Sequence, residues 1–378
     1  MLEQNNHIID TVILKVVAPC NLNCSYCYEY NMGDDSWKFK PKRISHDMIE
    51  LICNEIQRYI NANNLKNFSV TLHGGEPLML SEKNLENLLF RISKIKVDNL
   101  KIGMQTNATL ANINKIKILN NYKVNIGVSV DGNEKANKYR VDLKGNSAHE
   151  RIVKGIELIK KEAKYFSGFL SVVNLNTEPS DVLDFLSKYE PYQIDLLQPF
   201  ANYNNPPIPS KTKYKFGDWM IKAFTYWNEN KRLSKIKIRY FEDAIFSIIK
   251  NESRSDWFGL KPPGYVIVAT DGNYEGLDTL KVADKSVRVT EKNVINSSID
   301  DFIMSEANKI RLGGLSMLPD DCKNCQIKKW CSGGYLPTRF SSENGYNNRS
   351  YYCSDLKNLF DHINIWIQKN HNRNETRL

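Results

Sequence analysis

Six times in succession a short apolar run gives way to a helical pattern, and this alternation leaves the chain few folds to choose from. The runs fall at residues 12–17, 68–72, 101–107, 124–130, 168–174 and 193–198, and helical periodicity follows at about 45–63, 82–97, 111–121, 147–164, 180–188 and 213–230. Repeated strand–helix units with right-handed crossovers build a parallel sheet covered by helices. The predicted class is therefore α/β, a partial (β/α)6 TIM-type barrel. Ser45 is placed to cap the first helix. In barrels of this kind functional loops gather at the carboxyl ends of the strands. The polar motifs of this chain stand at those positions: a cysteine-rich loop after residue 17, His73-Gly74-Gly75-Glu76-Pro77 after the second run, and Asp131-Gly132 after the fourth.

The first motif carries the chemistry. Cys20, Cys24 and Cys27 are spaced C-x3-C-x2-C. Three thiolates can hold three irons of a cubane 4Fe–4S cluster and leave the fourth iron open to a small molecule. A closed structural zinc site needs four ligands, and the nearest histidine, His46, lies 19 residues beyond Cys27. The chain has 378 residues, 41% of them hydrophobic, with no apolar run near the ~20 residues of a membrane span. Residues 1–6 are polar and lack the pattern of a signal peptide, so the protein is read as cytoplasmic. Eight cysteines in such a chain suit metal or redox ligands better than disulfides. Seven fall in two groups, and Cys53, within a helical pattern, reads as an ordinary core residue. The net charge of +9 comes from scattered lysines rather than a basic stripe with interleaved aromatics, which argues against nucleic acid. It still favours an acidic peptide or a reduced electron carrier as partner.

The cysteine triplet, with Tyr26 before its last member, resembles the signature of the radical S-adenosylmethionine (SAM) enzymes, in which SAM chelates the open iron and is cleaved to a 5′-deoxyadenosyl radical. Gly74, Gly75, Glu76 and Pro77 resemble the GGEP motif of that family, with Glu76 expected to accept a hydrogen bond from the SAM amine. The resemblance extends to Gln105 and Asn107 beside the cofactor, Ser129 as a ribose contact and Arg140 as a fork for the SAM carboxylate. Leu197 on the sixth strand is expected against the adenine, with core packing as the alternative.

After residue 262 the pattern changes to a β-hairpin about Asp271-Gly272. Cys322, Cys325, Cys331 and Cys353, at C-x2-C-x5-C-x21-C, make a complete shell for one closed 4Fe–4S cluster or for one zinc. This half resembles the SPASM domain of peptide-modifying radical SAM enzymes, which implies iron. Such domains commonly hold two auxiliary clusters. The hairpin here has no cysteine, and Tyr335 stands where a further ligand would fall, so one auxiliary cluster is expected. The division expected is a barrel over 1–235 and a SPASM-like domain over 236–378.

Residues 274–281, 331–337 and 352–353 are similar to maturases that form cyclophane crosslinks in Xye-type, Fxs-type and glycine-rich ribosomal peptides. The reaction implied is removal of a β-hydrogen from a residue of a precursor peptide and closure of a carbon–carbon bond to an aromatic ring. The alternatives are a maturase that oxidises a serine or cysteine of a sulfatase or forms thioethers, and an iron–sulfur electron carrier or metal sensor without catalysis. Asp278 is the candidate proton acceptor, with a turn-capping aspartate as the alternative, and the residual electron is expected to leave through the auxiliary cluster. Glu275 is read as solvent-facing. Flavodoxin or ferredoxin is the expected reductant. With no winged-helix leader-binding segment before Cys20, the leader is expected on an exposed strand edge of the hairpin.

Overall fold

A computed structural model describes residues 7–207, 209–252, 254–258, 264–283, 291–305, 308 and 317–375. The polar start at 1–6 and the change of pattern at 262 lie outside the described residues. In chain order the elements are β1 (Thr11–Val17), α1 (His46–Ala62), β2 (Asn67–Gly74), α2 (Glu82–Ile92), β3 (Asn99–Thr106), α3 (Ile113–Asn121), β4 (Asn125–Ser129), α4 (His149–Glu162), β5 (Phe166–Val172), α5 (Pro179–Ser187), β6 (Gln193–Leu197), α6 (Phe216–Glu229), β7 (Lys237–Ile238), α7 (Arg239–Lys250), β8 (Tyr265–Val268), β9 (Tyr274–Glu275) and α8 (Asp278–Ala283). A long helix, Cys353–Glu375, follows. The six expected β/α units are all present. Local chemistry sets their edges. The Ser45 hydroxyl accepts Met48 N at 3.1 Å and so satisfies one of the orphan amides that open α1. Ser81 and Asn112 do the same for α2 and α3. Helix α2 stops at Ile92 rather than 97, because the Gln57 side chain takes the Lys96 amide at 2.7 Å and draws the chain out of the helix.

The chain divides into two compact units. The first comprises Met1–Val130, Asn137–Leu170 and Gly264–Leu312. Its strands run β5-β4-β3-β2-β1-β8-β9, parallel throughout except for β9. The hairpin β8–β9 is thus an extension of this sheet, with Leu14 opposite Val268. Successive side chains on a strand point to opposite faces. One face carries Val12 and Leu14, Phe68, Val70 and Leu72, Ile102 and Met104, and Ile126 and Val128, all buried. Burying each such side chain is worth about 1.5–3 kcal/mol. The alternate positions carry Lys15, Ser69, Thr71, His73, Gln105 and Ser129. That face is polar, and the candidate site stands on it.

The second unit comprises Asp131–Ala136, Ser171–Pro263 and Gly313–Leu378. Its core is aromatic: Phe216, Trp219, Phe224, Tyr240, Phe241, Phe258 and Phe360 are fully buried. Phe224 meets Phe241 and Trp366 edge to face, with centroids 5.3 Å apart in each pair. Edge-to-face rings add roughly 0.5–1.5 kcal/mol per pair beyond their burial. Helix α6 and the C-terminal helix approach closely at Gly217, whose amide donates to Asp355 Oδ1 at 2.7 Å.

Candidate cofactor and substrate site

In the first unit the cysteine loop leaves β1 and is held by backbone on two sides. Asn23 N donates to Val141 O at 2.8 Å and Ser25 N to Tyr139 O at 3.1 Å, so residues 21–25 form a short antiparallel ribbon with 139–142. The Arg140 guanidinium lies 5.6 Å from the Tyr26 ring centroid in a cation–π contact. On the other side Gly75 N donates to Val17 O at 2.8 Å. A Cβ at Gly75 would stand 1.9 Å from the Pro19 carbonyl oxygen, and Gly74 has φ +120° with a Cβ position 2.3 Å from Val17 O. Both glycines are therefore required by close approach of the GGEP turn to the cysteine loop.

Cys20, Cys24 and Cys27 are half-buried and in no disulfide. Burial pushes Cys20 and Cys27 up to about 12, and Cys24 acts on both. Thiols so disfavoured as free thiolates become anionic when a metal takes them. Among the described residues no three His, Cys, Asp or Glu side chains converge on a point the size of one ion. Three thiols on one loop, backed by a glycine turn, fit an iron–sulfur cluster with one open corner.

The polar residues around this loop form a network. Glu76 is buried, and its carboxylate accepts from Leu78 N at 2.9 Å, Thr106 Oγ1 at 2.6 Å and Asn107 N at 2.7 Å. Three of its roughly four acceptor positions are used, two in fixing the end of β3 and one in capping the turn at Pro77–Met79. Burial raises its carboxyl, against the pull of these donors. Asn107 Nδ2 donates to Asn21 Oδ1 at 3.0 Å and lies 3.8 Å from Cys20 Sγ, while Thr109 Oγ1 joins Asn107 Oδ1 at 2.6 Å and receives Asn21 Nδ2 at 2.8 Å. This triangle ties the end of β3 to the cysteine loop. Asn21 and Thr109 were not legible as site residues from the motifs. Gln105 Nε2 donates to Ser129 Oγ at 2.8 Å, so two expected cofactor contacts are joined to each other. Pro77 is buried in the 3-10 turn after Glu76. Leu197 is half-buried at the end of β6, in the second unit.

Asp278 opens α8 and is 8% exposed. It belongs to a charge cluster in the first unit in which three lysines face five carboxyls. Lys15, 4% exposed, reaches Glu29 at 2.8 Å, Glu275 at 2.9 Å and Asp278 Oδ1 at 2.7 Å. Lys281 reaches Glu275 at 3.0 Å, Asp278 Oδ1 at 3.3 Å and Asp34 at 3.7 Å. Lys40 pairs with Glu275 and stands 3.9 Å from Asp271. Burial alone would raise the Asp278 and Glu275 carboxyls, but Lys15 and Lys281 outweigh it and hold both below the usual range. Glu29 is raised, because burial and its carboxylate neighbours exceed the share of lysine charge it receives. Glu275 is therefore not solvent-facing as expected: at 3% exposure it is a hub of the cluster. A cavity of about 10 Å³, room for one water, lies among Lys15, Glu29, Trp37, Lys40, Gly75 and Thr270. The Thr270 hydroxyl and the Trp37 indole N–H are buried there without a hydrogen-bond partner among the described residues. The free edge expected on the hairpin is already partly taken, since Tyr274 N donates to Lys292 O at 2.9 Å and Val294 N to Gly272 O at 2.9 Å.

In the second unit Cys322 and Cys331 are buried and Cys325 and Cys353 half-buried. Backbone turns present them: Cys325 N bonds to Cys322 O, Gly334 N to Cys331 O and Cys353 N to Ser350 O, at 3.2, 2.9 and 2.9 Å. Burial pushes Cys331 up to about 12, and Cys353, Cys322 and Cys325 each add to that rise, so the four thiols lie within electrostatic reach of one another. Residues separated by as many as 31 positions are brought together, and the donor set fits a closed tetrathiolate shell. Tyr335 packs its ring on Trp257, with centroids 4.6 Å apart.

Residues 15–186 match the family described as the radical SAM superfamily. The cysteine-type anaerobic sulfatase-maturating enzyme of Clostridium perfringens is 26% identical over 369 residues, covering 94% of this chain and 96% of that protein. The radical SAM cyclopropyl synthase TigE of Paramaledivibacter caminithermalis is 24% identical over 86% of this chain and 67% of that protein. Native anSMEcpe with bound AdoMet and Cp18Cys peptide has a similar fold, with TM-score 0.78 and 21% identity over 96% of this chain and 99% of that one. Residues 15–186 thus match the radical SAM superfamily, and anaerobic sulfatase-maturating enzymes are similar to this chain over nearly its whole length.

Proposed function

We propose that the enzyme modifies a ribosomally made precursor peptide, removing a β-hydrogen from one residue and closing a carbon–carbon cyclophane bond to an aromatic side chain. In this reading Cys20, Cys24 and Cys27 hold the SAM-binding 4Fe–4S cluster. Gly74, Gly75, Glu76, Pro77, Gln105, Asn107, Ser129 and Arg140 shape the SAM site. Cys322, Cys325, Cys331 and Cys353 hold one auxiliary 4Fe–4S cluster. By sequence the cofactor domain is assigned to residues 1–235 and the auxiliary-cluster domain to 236–378, although the hairpin β8–β9 and α8 of the latter stretch belong to the compact unit of the cysteine loop. When bound, the cluster and SAM supply a carbon-centred radical able to take hydrogen from an unactivated carbon.

The observation that carries the reading is the joining, in one unit, of the three-cysteine loop, the GGEP turn and a buried ionised carboxylate, Asp278. Ring closure onto an arene releases one proton and one electron. In this reading Asp278 takes the proton; its ion pairs with Lys15 and Lys281 hold its carboxyl below the usual range, which keeps it unprotonated and also weakens it as a base. Flavodoxin or ferredoxin is the proposed reductant. No helix among the described residues is long and apolar enough to cross a membrane.

A second reading, oxidation of a serine or cysteine in a protein substrate, is favoured by the similarity to the sulfatase-maturating enzymes. Co-expression with candidate precursor peptides, followed by tandem mass spectrometry, separates the two. A cyclophane product loses two hydrogens, resists fragmentation inside the ring and ignores aldehyde reagents. An aldehyde-reactive product would overturn the crosslinking reading, and absence of 5′-deoxyadenosine with SAM and dithionite would overturn both.

A further inference from the structure

Arg339 lies in the same unit as the four C-terminal cysteines and is 4% exposed. Its Nε and Nη2 donate to the Tyr346 carbonyl at 3.2 and 3.1 Å, and Nη2 also donates to the Met317 carbonyl. The glycine turn after Cys331 closes over it, with a Cβ at Gly333 only 3.3 Å from Nη1. Carbonyl dipoles satisfy the hydrogen bonds of a guanidinium but do not neutralise it. Among the described residues Arg339 makes no ion pair with a carboxylate, whereas nearby Arg349, on the surface, pairs with Asp321 at 3.0 Å. Cys322, Cys331 and the Tyr346 phenol lie within electrostatic reach of Arg339.

A buried cation without a counter-charge costs several kcal/mol. Neutral thiols would leave that cost in place, and thiolates bound to a metal assembly would remove it. A nearby cation also favours the more negative, reduced state of an iron–sulfur cluster, whose potential depends on net charge, hydrogen bonding and exposure.

We propose that Arg339 is a positioning residue that balances the charge of the thiolate assembly on Cys322, Cys325, Cys331 and Cys353 and raises the reduction potential of the cluster held there. This rests on the cluster assignment made under the proposed function. The test uses the full chain with Cys20, Cys24 and Cys27 replaced by alanine, reconstituted anaerobically, so that one cluster remains. Iron, sulfide and zinc are quantified, and the midpoint is read by potentiometric titration with electron paramagnetic resonance.

Arg339→Gln and Arg339→Met are expected to lower the reduced-to-oxidised ratio, read at the parent midpoint, about tenfold or more. That is a fall of about 59 mV for a one-electron couple. Arg339→Lys is expected to stay near the parent. If both neutral variants lose the cluster and the lysine variant keeps it, the requirement for charge stands in stronger form. If the lysine variant also loses it, or all variants shift alike, or none shifts, the role is structural and the proposal is overturned. Zinc in place of iron at the four cysteines would instead remove the cluster assignment itself.

Discussion

The two cysteine groups solve different problems with the same side chain. Cys20, Cys24 and Cys27 sit on one loop of eight residues, half-buried, with their geometry imposed by neighbouring backbone: the GGEP turn on one side and the 139–142 ribbon on the other. Cys322, Cys325, Cys331 and Cys353 come from a span of 32 residues, two of them buried, beside a buried arginine. In the proposed assignment the first arrangement leaves one corner open and shapes its surroundings for a ligand. The second would be closed. An open site must be held by the protein around it, whereas a closed tetrathiolate shell holds the protein around itself.

The largest expected effect tests that division of labour. Cys27→Ala should abolish 5′-deoxyadenosine release while the C-terminal iron remains. Cys331→Ala should keep 5′-deoxyadenosine release but loosen the second unit, seen as lost iron and a lower urea midpoint. If Cys331→Ala left the urea midpoint unchanged, the contrast would not hold. Next in size is Lys15→Met, which strands the carboxylates of Asp278, Glu275 and Glu29. A broken buried pair costs about 3–5 kcal/mol, so a matching loss of unfolding free energy is expected by denaturant titration.

Gly75→Ala should cost about 1–3 kcal/mol through overpacking against Pro19. It should also slow SAM cleavage more than it lowers stability, because the strain falls on the cysteine loop. The smallest effect concerns pH. Asp278 and Glu275 are held below their ordinary values of about 3.9 and 4.3. Ionising them therefore favours the folded state: that stability is present above those values and is lost as pH falls below them. The thermal midpoint should drop below about pH 4, and Lys15→Met should flatten that limb of the profile.

Much of this was legible from sequence because it is local. The Ser45 cap, the cysteine spacing and the two glycines each act within a few residues. Glu275 was misread because its burial depends on Lys15, which comes from β1 some 260 positions away, as the Lys15–Asp278 pair with a separation of 263 also shows. A lysine inside the apolar run 12–17 was the available signal, since a buried lysine demands carboxylates from elsewhere. The end of α2 was overrun because periodicity does not see the Gln57 side chain. The pairing of β8 with β1 was hidden too, because a short apolar run does not announce its neighbour.

The asparagine–threonine triangle and the ribbon at 139–142 have a consequence for how the proposed iron–sulfur cluster would be loaded. Asn21, Asn107 and Thr109 hold one another and residues 21–25 pair with 139–142, so protein hydrogen bonds alone tie down the loop that carries the three thiols. On that reading, insertion and loss of the inorganic core would be local events on a hydrogen-bonded cradle, and a chain damaged by oxygen would be reloaded without first being refolded.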